Sequence, residues 1–123
     1  MKIEYQVCSL ELSQKLKDLG VPQESLFYWT PDFNNDFDLI YGEPTSGWQR
    51  KGARVSAFTV AELGEILGQN YDSIRPCNAG FEISRFVKNN EKEYCKGKTM
   101  AECMAKMLIY WKINFYEQNT TNN

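Results

Sequence analysis

The densest set of ligand-type side chains in the sequence is Asp32-Phe33-Asn34-Asn35-Asp36-Phe37-Asp38-Leu39-Ile40-Tyr41-Gly42-Glu43. Asp32, Asn34, Asp36, Asp38 and Glu43 put oxygen ligands in an EF-hand-like frame, and hard Ca²⁺ favours such oxygens. Phe37 stands where that frame needs glycine for its sharp turn, and Pro31 and Pro44 stand where its helices should be. The same letters describe a hairpin with an Asn/Asp turn, which is the expectation adopted, with no metal site and no cofactor. Asp36 and Asp38 would do acid–base work only in a pocket, and turn positions favour solvation instead. A second stretch, Trp48-Gln49-Arg50-Lys51-Gly52-Ala53-Arg54, interleaves an aromatic with cations. Trp48 would stack on a base while Arg50, Lys51 and Arg54 neutralise phosphates, against the alternative of a solvated loop whose Trp48 folds back.

Composition narrows these options. The chain has 123 residues, 42% of them apolar and 14% aromatic, enough for one globular domain with a real core. Fourteen basic and sixteen acidic residues leave a net charge of -2, which gives no bulk attraction to nucleic acid or anionic lipid. There is no histidine, the commonest general base. No G-x-S-x-G, P-loop, G-x-G-x-x-G or H-E-x-x-H motif occurs, so no catalytic residues are assigned and a small hydrolase ranks last. Cysteines at 8, 77, 95 and 103 form no C-x-x-C pair and read as reduced, packed thiols. The start, Met1 to Gln6, lacks the apolar core of a signal peptide, so a cytoplasmic protein without membrane spans is expected.

The elements that must position these residues follow from caps and periodicity. Ser9 caps a first helix that stops at Gly20, with Leu12, Leu16 and Leu19 on one side. Thr59-Val60-Ala61-Glu62 is a capping box that opens a second helix, with Phe58 and Leu63 as its hydrophobic staple and Gly68 at its end. Gly64 on the apolar side of that helix implies close approach of a neighbour. Thr99-Met100-Ala101-Glu102 is a second capping box, and the helix it opens runs toward Glu117.

Strands are expected over residues 25–30, 37–41, 81–88 and 91–95, the last two around the turn formers Asn89-Asn90. Residues 42–53 and 69–79 read as loops, and all four prolines fall in connections. Lys88, Lys92, Lys96 and Lys98 alternate with acids, as on a hairpin edge guarded against pairing. The result is an α+β domain over 1–117, in the order αββαββα. It has two hairpins in one mainly antiparallel four-stranded sheet, three helices, and a polar disordered tail over 118–123.

The last helix carries two apolar faces. Met100, Cys103, Met104, Met107, Leu108, Trp111 and Phe115 form one stripe, about 140° wide at 100° per residue. Ile109, Ile113 and Tyr116 recur on the opposite side and need a second partner, either the first helix or another chain.

Three stretches taken together bear a resemblance. They are Cys8-Ser9-Leu10-Glu11-Leu12 running on to Leu26-Phe27-Tyr28-Trp29, then Ala57-Phe58-Thr59-Val60-Ala61-Glu62-Leu63-Gly64-Glu65-Ile66-Leu67, and Met104-Ala105-Lys106-Met107-Leu108-Ile109-Tyr110. Their order resembles a family of small uncharacterised proteins of bacterial, phage and prophage genomes, across most of residues 8–111. Relatives tend to carry a proline where the second helix ends, near Gly68. The resemblance implies a bacterial or phage setting and no assigned reaction. The expected function is therefore a non-enzymatic accessory or interaction protein, docking a protein partner or itself. The alternative is a weak nucleic-acid binder using the 48–54 loop.

Overall fold

A computed structural model describes residues 2–32, 34, 36–42, 54–86 and 91–121, with side chains through Asn114. Its elements are a 3-10 turn at Ile3–Tyr5, α1 (Leu10–Asp18), β1 (Phe27–Pro31), β2 (Phe37–Tyr41), β3 (Val55–Ser56), α2 (Val60–Leu67), β4 (Ser73–Cys77), β5 (Gly80–Phe86), β6 (Lys92–Gly97) and α3 (Met100–Thr121). The fold is α+β with three α-helices, as the patterning implies.

Each helix starts where a side chain satisfies its orphan N–H groups. Ser9 Oγ accepts from Leu12 N, and α1 ends just before Gly20. The box of α2 is complete: Thr59 Oγ1 accepts from Glu62 N, while Glu62 Oε1 accepts from Thr59 N at 2.9 Å. At α3 only half of the expected box forms. Thr99 Oγ1 accepts from Glu102 N at 3.1 Å, but Glu102 Oε2 accepts from Lys98 N at 2.7 Å, one residue earlier than the cap. The backbone of α3 stays helical to Thr121, past Glu117.

The sheet differs from the expectation of four strands in one layer. Two separate antiparallel three-stranded sheets form, in the orders β2-β1-β3 and β4-β5-β6. Each expected hairpin gains a third strand where none was expected: β4 within the 69–79 segment read as loop, and β3 just after the 42–53 loop. Both edges of β1 are then taken by β2 and β3, and both edges of β5 by β4 and β6. The central strands have no edge left with which to join.

Two prolines also sit in strands rather than connections, Pro31 closing β1 and Pro76 inside β4. Pro76 is opposite Phe81, next to the turn-closing pair Cys77 and Gly80. Alternation makes its position non-hydrogen-bonded toward β5, so the missing N–H faces the open edge.

One apolar core unites α1, α2, α3 and the β4-β5-β6 sheet. Leu12, Leu16, Phe58, Leu63, Leu67, Ile83, Ala101, Cys103, Met104, Ala105, Met107 and Leu108 are all buried in it. α3 is its axis, packed against α1, α2, β5 and β6. Cys103, Met104, Met107 and Leu108 of the first apolar stripe of α3 are buried, with Met100 and Trp111 partly buried against them. The side chain of Phe115 lies outside the described residues. Burial extends further round the helix through Ala101 and Ala105, both fully inaccessible. Two alanines do not register as a greasy face in sequence, yet their small size lets neighbouring backbone come close. At Gly64 on α2 a Cβ would lie 3.5 Å from Met104 Cε, an ordinary contact, so the close approach expected there does not by itself require glycine. Gly97 is different: a Cβ would lie 2.6 Å from Cys103 N, so β6 can run directly into the start of α3 only without a side chain.

Candidate binding groove

The N-terminal segment is pinned across the start of α2. Val7 bridges Thr59, and Cys8 N donates to Phe58 O at 2.8 Å. This sets Tyr5 and Gln6 beside Thr59, Val60 and Ala61. Gly97 brings Lys98, Thr99 and Met100 to the same end of the molecule, with Phe81 of β5 between them, paired across the sheet with Gly97. These nine residues line an open-mouthed cavity of about 840 Å³, within the size range of ligand sites. Tyr5, Val60, Ala61, Phe81 and Met100 make its walls chiefly apolar.

The polar groups around the groove are mostly committed to structure. The hydroxyls of Thr59 and Thr99 cap their helices, and Glu62 and Glu102 accept from backbone N–H groups. Glu62 Oε2 also accepts from Leu26 N at 3.1 Å, tying the start of α2 to the approach to β1. Lys98 differs: it is exposed, and its ammonium has no ion pair or hydrogen bond among the described residues. A second, polar cavity of about 310 Å³ lies between Gln69, Asn70, Tyr71, Asp72, Arg85 and Phe86.

The residues singled out from sequence are distributed elsewhere. Asp32 organises its own turn, with Oδ1 accepting from Asn34 N at 2.8 Å and Asp36 N at 3.0 Å. Asp38 lies exposed in β2, strands rather than helices flank the segment, and Glu43 lies outside the described residues. Among the described residues no three His, Cys, Asp or Glu side chains gather as a metal site would require. Trp48, Arg50 and Lys51 also lie outside the described residues. Arg54 is described, and its guanidinium sits 4.6 Å from the ring centroid of buried Tyr28, engaged inward by a cation–π contact. Ile109 is partly buried and packs against the core. Ile113 is 42% exposed, with Tyr110 one turn before it, and the side chain of Tyr116 lies outside the described residues.

The lysine edge is only partly a bare row of charges. Lys92 pairs with Asp72 at 3.0 Å, Lys96 with Glu82 at 3.9 Å, and Lys106 of α3 donates to Lys96 O, while Lys88 lies outside the described residues.

The thiols are placed for packing. All four are free, and Cys8 and Cys103 are fully buried. Burial pushes the Cys8 thiol up to about 11 and that of Cys103 to about 12, and it raises Cys95 as well. Such groups stay protonated at neutral pH and are poor nucleophiles. The Tyr110 phenol is also raised, because its proton is held in a 2.6 Å hydrogen bond to Glu93 Oε1.

Comparison with known families, curated proteins and solved structures gives no match. Among the described residues no helix is long and apolar enough to cross a membrane. The groove went unseen in the sequence although both helix starts that build it are marked there by T-x-x-E. What the motif does not carry is that the two starts converge, because the convergence depends on the unmarked contact of Gly97 with Cys103.

Proposed function

We propose that this chain is a small non-enzymatic accessory protein, of the bacterial or phage kind its sequence resembles, that binds through the groove between the starts of α2 and α3. The observation that carries the reading is the 840 Å³ cavity with walls of Tyr5, Val60, Ala61, Phe81 and Met100. Apolar surface held open to water gains free energy when an apolar group covers it. The raised thiols at Cys8, Cys95 and Cys103 support binding over reaction, since burial suppresses their nucleophilic form.

The test uses a neutral apolar dye such as Nile red. Binding at one site per chain is expected, with affinity reduced by at least about tenfold in Ala61→Glu, which sets a charge against the apolar wall. An acid at the second residue of a helix suits its dipole, so the variant should melt like the parent. Equal dye binding by parent and variant would remove the groove as the binding surface.

A further inference from the structure

We propose that β2 pairs edge to edge with β2 of a second copy of this chain, antiparallel and centred on Leu39. The surface is separate from the groove, and neither reading depends on the other. β2 is the outer strand of its sheet and pairs only with β1 among the described residues. Gly42 N donates to Leu26 O and Asp32 N to Asp36 O, each at 2.7 Å and each straight across the β1–β2 register. Bonded and non-bonded pairs alternate along an antiparallel ladder, so Tyr28 with Ile40 and Thr30 with Asp38 are the bonded pairs between these strands. Asp38 and Ile40 therefore spend their backbone groups on β1. Phe37, Leu39 and Tyr41 aim theirs at the open edge, where none has a backbone partner among the described residues.

The other sheet edges are guarded and this one is not. β3 is two residues long, β4 carries Arg75 and Pro76, and β6 carries Lys92 and Lys96. Short strands, prolines and lysines keep an edge from pairing with another chain. β2 has five residues, no proline and no lysine, and Asp38 is its one charge. The strand also fits itself. About a two-fold axis at Leu39, that residue meets its own counterpart and Phe37 meets Tyr41 of the second copy, so all three outward residues find bonded partners. Asp38 falls opposite Ile40, and no two like charges face each other. The new Phe37–Tyr41 pairs lie on the face where Tyr41, 73% exposed, already meets Phe27 edge-on at 5.3 Å.

Sedimentation equilibrium of the full chain across micromolar to millimolar concentrations tests this. The parent is expected to form a dimer. Leu39→Pro should stay monomeric, because it removes the outward N–H at the centre of the pairing and none that bonds β1. A second set of variants reads the register and does not depend on that proline being tolerated. Ile40→Lys sets a cation opposite Asp38 of the second copy, twice per dimer, whereas Ile40→Asp sets acid against acid. The first should dimerise at least about tenfold more tightly than the second, and adding Asp38→Lys to Ile40→Asp should restore the dimer. A parent that is monomeric throughout overturns the self-pairing and leaves the edge to a strand from another protein. A dimer in which the two Ile40 variants associate alike overturns it as well, and so does one lost in Ala61→Glu instead, which belongs to the groove.

Discussion

The two three-stranded sheets are alike in size and pairing and differ in what holds them. The β4-β5-β6 sheet lies on α3 and shares its core: Ile83 is fully buried there, and Ile74, Phe81 and Cys95 pack around it. Its other face carries Arg75, Glu82 and Lys96 in a cross-strand run of ion pairs. The buried members of β2-β1-β3, namely Tyr28, Thr30, Val55 and Ser56, stand outside that core cluster. Directional bonds tether this sheet instead. Trp29 Nε1 donates to Cys8 O at 3.0 Å, Gln23 Oε1 accepts from Ser56 N at 2.8 Å, and the Tyr28 hydroxyl accepts from Ser25 N at 3.2 Å. One sheet is fixed by area shared with the helical core, while the other buries Tyr28 and Val55 outside that core and is tied in by directional bonds as well.

That contrast can be broken by substitution. The largest effect is expected from Ile83→Ala, which empties the contact between β5 and α3 and should cost about 2–5 kcal/mol in urea unfolding. A loss much below that range would mean that the helix and the sheet collapse onto the gap. An alkaline effect of intermediate size follows from the thiols. The folded state holds the Cys8 proton to about pH 11, while an unfolded thiol releases it near its ordinary 9.0. The stability tied to this thiol is therefore complete below pH 9 and lost as pH rises toward 11, by up to about 1.4 kcal/mol per pH unit. Urea melts between pH 8.5 and 10.5 should show a shallower decline in Cys8→Ala than in the parent.

The smallest effect runs in the opposite direction and belongs to the tethered sheet. Thr30 is buried, and its hydroxyl has no partner among the described residues. Thr30→Val keeps the shape and removes the stranded group, so it should stabilise by about 1 kcal/mol. A destabilisation by the same amount would show that the hydroxyl is engaged and that the polar account of this sheet is incomplete.

The same difference explains what could be read from sequence. Helix starts were legible because T-x-x-E and Ser9 act over three residues, and the first stripe of α3 was legible because its side chains are large. β4 was hidden because Ser73-Ile74-Arg75-Pro76-Cys77 carries a proline and exposes three of its five residues, leaving no apolar alternation to notice. β3 is two residues long and exists through pairing with Tyr28 and Trp29, a contact made across the chain. Ala101 and Ala105 hid the width of the buried face on α3, which reaches far enough round the helix for Ile109 to be partly buried against the core. The groove depends on Gly97 meeting Cys103, and no local pattern reports a contact between a strand end and the first turn of the helix that follows.

α3 comes last in the order of elements, yet it is the surface on which the earlier ones meet. A ribosome making this chain N-terminus first releases both sheets and two helices before the rod that unites them. Until residues 100–114 have emerged, Leu12, Leu16, Leu63 and Ile83 lack the helix on which their shared core closes. Closure of this core therefore waits on α3, and a nascent chain stalled before Met100 should be a ready target for holdase chaperones and proteases.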